Sequence, residues 1–553
     1  MPALGFVWYA GPWVRLVSRP LGSFGMPPLG FVWHAGARSE WSKLGLLTIS
    51  ALNRKRAIRA AWIALAIAYF SPSLLHHANY YDEGFMVCGA ERVLHGQLPY
   101  QDFNSGYPPG PFYTVAAVFR LFGTSLLAER VLDVFWRLGI VACSICLIQA
   151  ACGRIPLAVS LCLSGWIGVI TFHLYPMITG TLFCVAALWL SVLYLNGRGR
   201  KWMYFSGGVA GAGFFYRHDL MLCICGAVTL TAAYQLLVQK DRAALRGFAS
   251  FVTGVITVFA PGAMLLWISV PHAALQRSFI EFPKITAGQK FLKFYTLSSI
   301  WDVGTFYLPL AIVVFTACRL WMTKAERRPV PLLLFLSAVS TLAVAIQRSD
   351  VPHAFPAIVV GLILLCWNLS QPLLLRKEVA GFCRTAFVGA VLLWYGLPAL
   401  AAWTVDAAAA SHPKRSGIPR AGPIPLDQDQ IEAVQYIQRQ LAPGRPLYVG
   451  TTSHSRVFMN DALFYFLADR PQATGWDMWV PGLTSGAEVQ SEIADALEKK
   501  RIEYLVVFAA RESHEPNRSV LDSGITTVDD DIRNHYSEVA RFGRYTISRR
   551  IPD

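Results

Sequence analysis

The sequence predicts a polytopic α-helical membrane protein of about eleven transmembrane helices, followed by a C-terminal extracytoplasmic α/β domain. Three observations predict it. The 553-residue chain is 54% hydrophobic and only 15% charged, an unusual balance for a soluble protein. Apolar runs of roughly 20 residues, enough for about 30 Å of hydrocarbon, recur from Ala57 to Val405. Past Val405 they stop, and short apolar runs alternate with amphipathic stretches.

Residues 1–53 read as a poorly ordered N-terminal extension. They hold a short repeat, Met1-Pro2-Ala3-Leu4-Gly5-Phe6-Val7-Trp8 against Met26-Pro27-Pro28-Leu29-Gly30-Phe31-Val32-Trp33, too short and too rich in Gly and Pro to be a structural unit. A cytoplasmic tail and a start site assigned too far upstream both fit it. The transmembrane domain, 54–405, has expected spans at 57–75, 125–150, 155–173, 177–195, 202–217, 219–238, 247–270, 304–322, 330–347, 354–374 and 384–405.

Arg54, Lys55, Arg56 and Arg59 precede the first span and place the N-terminus in the cytoplasm. Arg198 to Lys201, Lys240 to Arg246, Lys324 to Arg328 and Arg376 to Lys377 then fall on alternate loops, as one orientation requires. The chain is expected in the plasma (inner) membrane with its C-terminus outside. The net charge of +15 belongs to these loops rather than to one basic face, which argues against a nucleic-acid partner. Eleven cysteines are spread through the membrane portion and imply no disulfide framework; Cys143 and Cys146 read as small residues of an apolar helix.

Residues 406–426 read as a linker and 427–553 as the soluble domain. Its expected elements are a helix opened by Asp427, a strand from Pro446 to Val449, a helix from Glu488 to Lys500, a strand from Tyr504 to Phe508, a helix from Asp529 to Ala540, and a strand from Tyr545 to Ser548.

The first outer loop, 76–124, carries the most chemistry. It reads Tyr80-Tyr81-Asp82-Glu83-Gly84, then Gly96-Gln97-Leu98-Pro99-Tyr100-Gln101-Asp102-Phe103, then Tyr107-Pro108-Pro109-Gly110-Pro111. Residues Glu83 to His95 predict a short helix with Asp82 at its N-cap, a role that by itself needs no further purpose. Span two puts Arg130, Asp133 and Arg137 on one helical face, where paired charges are the plain account. Arg217 beside Asp219, and Arg348 with Asp350 and His353, occupy tight outward turns that read equally as local ion pairs. The loop from Pro271 to Asp302 mixes Arg277, Lys284, Lys290 and Lys293 with Phe279, Phe282, Phe291 and Tyr295, which suits interfacial anchoring or contact with lipid headgroups.

The ordered series from Asp82 through Gly110 resembles the GT-C superfamily of lipid-dependent glycosyltransferases. It is most similar to the branch, glycosyltransferase family 39-like, that holds protein O-mannosyltransferases and lipid A aminoarabinose transferases. The resemblance implies transfer of a sugar from a polyprenyl-phosphate donor in the membrane lipid to a glycan or lipid acceptor on the outer face. It places the catalytic base at Asp82, with Glu83 and Asp102 beside it. Arg137, Arg217, Arg348 and His353 would meet the donor phosphate, and Tyr81 and Tyr107 would position the acceptor and the loop.

The chain departs from the O-mannosyltransferases in lacking room for a β-rich domain between late spans. No His, Cys or carboxylate set has metal spacing, so no metal ligand is assigned and a divalent cation stays an open alternative. A secondary transporter and a non-catalytic membrane scaffold or sensor are the competing readings. A transporter would carry its polar groups near the midplane, whereas here they collect at outer span ends. The Thr451-Thr452-Ser453-His454-Ser455-Arg456 loop is a weak candidate for acceptor selection.

Overall fold

A computed structural model describes residues 51–552, apart from 154, 171–172, 293–299, 325–326, 372–376, 412–415, 457–458, 481 and 511–514. The N-terminal repeat lies outside the described residues, as do Lys293, Tyr295 and Arg376. Helix α1 (Ala51–Phe70) ends in a 3-10 turn, Ser71–Leu75, and leads into two short helices of the outer loop, α2 (Asp82–Leu94) and α3 (Gly110–Phe122). The membrane body continues through α4 (Leu126–Cys152), α5 (Leu157–Trp166), α6 (Pro176–Leu195), α7 (Lys201–Gly213), α8 (His218–Leu237) and α9 (Ala243–Ser269). After a short helical stretch, His272–Gln276, and a π turn, Arg277–Glu281, comes α10 (Phe282–Lys290), then α11 (Ile300–Met322), α12 (Pro329–Gln347) and α13 (Val351–Ser370). The last long helix runs from α14 (Lys377–Val391) through a π turn, Leu392–Gly396, into α15 (Leu397–Ser411).

Each expected span falls on a helix, but among the described residues eight helices are long and apolar enough to cross a membrane. Of the other three, the first runs in helix from Ala51 to Leu75, while those expected at 155–173 and 202–217 are α-helical over ten and thirteen residues. Span 155–173 is α-helical over only ten residues, about 15 Å of rise, half a hydrocarbon core. At its end the Tyr69 hydroxyl reaches the Gly165 and Ala399 carbonyls at 2.9 and 2.8 Å, tying α1 to the short helix and to α15.

The C-terminal part contains α16 (Gln428–Gln440), β1 (Tyr448–Thr451), α17 (Leu463–Ala468), α18 (Ala487–Lys499), β2 (Tyr504–Phe508), α19 (Thr527–His535), β3 (Tyr536–Phe542) and β4 (Tyr545–Arg550). The sheet has the order β1-β2-β4-β3, with β1 and β2 parallel and the other pairs antiparallel. The helix expected to reach Ala540 therefore stops at His535. Residues from Tyr536 onward pair with β4 instead, across a turn in which Gly543 takes φ of 49°, a left-handed angle that side chains resist.

Within the expected linker 406–426, helix α15 runs on to Ser411 and residues 416–426 pack inward. Ile418, Ala421 and Ile424 are buried in a core that also holds Phe85, Phe112 and Phe464. The first outer loop and the C-terminal domain thus share one core, and the chain from Ile58 onward packs as one compact unit. Polar bonds tie the same seam: Leu463 N donates to the Tyr80 carbonyl at 2.9 Å, and the Cys88 thiol lies 3.1 Å from the Ala462 carbonyl. Arg92 Nη1 reaches both oxygens of Asp477 at 2.7 and 2.9 Å, and both side chains are buried.

Arg92→Met is expected to lower stability by about 3–5 kcal/mol, because it leaves the Asp477 carboxylate buried without its partner. Removing both charges in Arg92→Met/Asp477→Leu should recover much of that loss, read as thermal unfolding midpoints in detergent. Gly84→Ala should cost about 1–3 kcal/mol in the same assay, since its new methyl would meet Leu463 Cα at 2.7 Å.

Candidate active site

The loop's geometry begins at Asn79. Its Oδ1 accepts from the amides of Tyr81 and Asp82 at 2.9 and 2.8 Å, while its own amide donates to Glu83 Oε2 at 2.9 Å. Asn79, and not Asp82, therefore satisfies the first amides of α2, and the Asp82 carboxylate is left out of the cap. Glu83, the next residue, is fully buried and turned the other way. Arg130 Nε and Nη2 grip its two oxygens at 2.7 and 3.0 Å, and Arg130 Nη1 donates to the carbonyls of Leu74 and His76 at 3.0 and 2.6 Å.

Asp82 faces a cavity of about 440 Å³ at the junction of the outer loops and the C-terminal domain. Tyr81 and Tyr107 line it beside Asp82. Arg217, Lys290, Arg348 and His353 bring cationic or imidazole groups to it, and Trp476 and Met478 supply wall from the C-terminal domain. Arg217 is paired with Asp219 at 2.9 Å. Arg348 is held by Asp350 at 2.5 Å through Nε and by Glu515 through both terminal nitrogens. His353 Nδ1 lies 2.5 Å from Asp350 Oδ1, and its Nε2 is 3.2 Å from the Tyr175 hydroxyl. Local ion pairs and cavity lining thus coexist at both turns.

The ammonium of Lys290 meets no carboxylate at ion-pair distance among the described residues. Burial pushes Asp82 up to about 6; Lys290 and Arg348 pull it back, and Asp350 adds to the rise. Burial lowers Lys290, with Arg348 working in the same direction and Asp82 against it. Burial also disfavours charge on Arg348, but Glu515 and Asp350 hold it well above its ordinary value.

Three expected site residues are not brought to this cavity. Glu83 is the buried partner of Arg130. The Asp102 carboxylate closes a local turn by accepting from Leu98 N at 2.7 Å. Arg137 is buried with its Nε on Asp133 at 2.7 Å and its Nη1 on the carbonyls of Ile167 and Ile170 at 2.7 and 2.9 Å. In turn, the sequence reading missed Tyr175, Trp476 and the cavity role of Lys290. Lys290 looked like one of several interfacial cations, and no local pattern marks it out. Among the described residues no three of His, Cys, Asp or Glu converge on one point.

No family model matches the chain, and no curated protein matches it. Solved structures do. ArnT from Cupriavidus metallidurans bound to undecaprenyl phosphate is similar with a TM-score of 0.57 at 16% identity, over 89% of this chain and 98% of that one. The apo state of the same protein gives 0.55 at 16% identity, over 93% and 98%. The arabinofuranosyltransferase AftD from Mycobacteria gives 0.51 at 14% identity, over 90% of this chain and 40% of that one. With a helical membrane body, a small C-terminal sheet and this likeness over most of its length, the chain shares the fold of ArnT.

Proposed function

We propose that the chain is a membrane glycosyltransferase that moves a sugar from a polyprenyl-phosphate donor to a hydroxyl of a glycan or lipid acceptor on the extracytoplasmic face, with Asp82 as general base. The observation that carries this reading is the Asp82 carboxylate, released from helix capping by Asn79 and facing a cavity that also holds Arg217, Lys290 and Arg348. The undecaprenyl phosphate bound by ArnT on the same fold supports the donor class. The alternating basic loops support a chain of the plasma (inner) membrane with its N-terminus in the cytoplasm and its C-terminal domain outside.

In this reading the acceptor oxygen attacks the anomeric carbon while its proton passes to Asp82. The bond between that carbon and the phosphate oxygen breaks, its electron pair stays on the phosphate, and the anomeric configuration inverts. Charge grows on the leaving oxygens, where fixed cations lower the barrier because they need no reorganisation as it forms. Tyr81 positions the base, since its hydroxyl donates to the Trp479 carbonyl at 2.7 Å and holds the start of α2 against the C-terminal domain. Tyr107 lines the cavity next to Asp82 and offers a hydroxyl to the acceptor.

A base must be ionised to accept a proton, so kcat/KM, which reports the free protein, should rise as pH climbs through the Asp82 value, with an acid limb at about 6. The check is release of polyprenyl phosphate from polyprenyl-phosphate sugars by the protein in lipid nanodiscs with envelope-derived acceptors. Asp82→Asn, matched to wild type for folding, should lose roughly 10²- to 10⁴-fold in turnover. Undiminished turnover in that variant would remove Asp82 from the chemistry.

A further inference from the structure

The cavity's cations are not equivalent. Arg217 is matched by Asp219, and Arg348 by Asp350 and Glu515. Lys290 carries its charge on a flexible four-carbon stem and, among the described residues, has no carboxylate at ion-pair distance. Its backbone, by contrast, is anchored. The Lys290 carbonyl accepts from Arg348 Nη1 at 3.2 Å, and Leu292 N donates to the Gln347 carbonyl at 3.2 Å, stitching the end of α10 to the α12–α13 turn. A fixed root with a mobile charged head can serve two anions in turn.

One of those anions is Asp82, which lines the same cavity as Lys290, close enough for the ammonium to hold its carboxyl down against the effect of burial. The other groups around Asp82 are less free to change. Arg348 and Asp350, on the α12–α13 turn, are bound to each other. Tyr81, Tyr107 and Tyr175 stay neutral, because burial raises each phenol above its ordinary value. Arg217, His218, Asp219 and His353 line the same cavity, with Arg217 and His353 already against carboxylates.

We propose that Lys290 is shared between Asp82 and the donor: in the empty cavity its ammonium compensates the Asp82 carboxylate, and when a polyprenyl-phosphate donor enters it turns to the phosphate oxygens and leaves Asp82 a stronger base. This rests on the donor class proposed above. Donor binding then raises the proton affinity of Asp82 where the leaving group is in place, and without donor its carboxylate is the weaker base toward water.

The proposal makes a linkage statement that needs no turnover. If binding raises the proton affinity of Asp82, the complex holds more protons than the free protein just above that group's free value. Binding is then accompanied by proton uptake and tightens as pH falls through that window. The probe is undecaprenyl phosphate, titrated into the full chain in nanodiscs at about pH 7, by calorimetry in buffers of different ionisation enthalpy, with undecaprenol as the uncharged control. Protonation changes of the phosphate itself are common to wild type and Asp82→Asn, so the difference between them isolates Asp82.

Wild type should take up more protons than Asp82→Asn. Lys290→Gln should bind about 10- to 100-fold more weakly, and Lys290→Arg, which keeps the charge, should restore most of the affinity. Equal proton exchange in wild type and Asp82→Asn, or wild-type affinity in Lys290→Gln, overturns the sharing of Lys290 while leaving the donor class intact. Equal affinity of wild type for undecaprenyl phosphate and undecaprenol overturns the donor class, and this inference with it.

Discussion

The outer loop hangs on the contact between Glu83 and Arg130. Both side chains are removed from water, and the pair closes through two nitrogen–oxygen contacts while the remaining arginine donor caps the turn that ends α1. An ion pair in that setting gains little over an apolar replacement, yet losing one partner costs about 3–5 kcal/mol because the survivor is stranded. Its value here is directional. With Glu83 pinned to α4 and Asn79 satisfying the first amides of α2, the helix has one rotation about its axis, and that rotation presents Asp82 to the cavity.

The cavity itself is close to balanced. Asp219, Asp350 and Glu515 sit against its two arginines, so the empty site does not pile up positive charge in a half-dry space. An unpaired guanidinium at this depth would be costly or would draw in any passing lipid phosphate. A lysine suits the shared role proposed for Lys290 better than an arginine, since its charge is compact and its stem can swing.

Much of this was legible in the sequence, and the failures have physical causes. The long apolar runs report helices directly, because nothing but a helix satisfies its own backbone over that length in lipid. The short run at 155–173 misled because hydropathy measures composition and not where the helix ends. Asp82, Tyr81, Tyr107, Arg217, Arg348 and His353 were read from outward turns, and those turns do converge on one cavity. Assigning Glu83 to the same space as Asp82 overlooked that neighbours on a helix point about 100° apart. Arg137 lies two turns, roughly 10 Å, deeper than Arg130, where an arginine is expected to be fully engaged. Trp476 and Lys290 reach the cavity through tertiary contacts across most of the chain, and no local pattern encodes that distance.

The shared core has a consequence for how the protein comes into being. Tyr81 and Cys88 bond to residues 398 and 374 positions later, so the loop that carries Asp82 cannot finish packing until the C-terminal domain has been made. At about 5–20 residues per second, the ribosome leaves that loop waiting roughly 20 to 80 seconds with its aromatic face uncovered. During that interval the membrane helices can assemble, but the cavity has no far wall. A chain cut short before residue 459 would lack the cavity wall that Met459, Trp476 and Met478 supply.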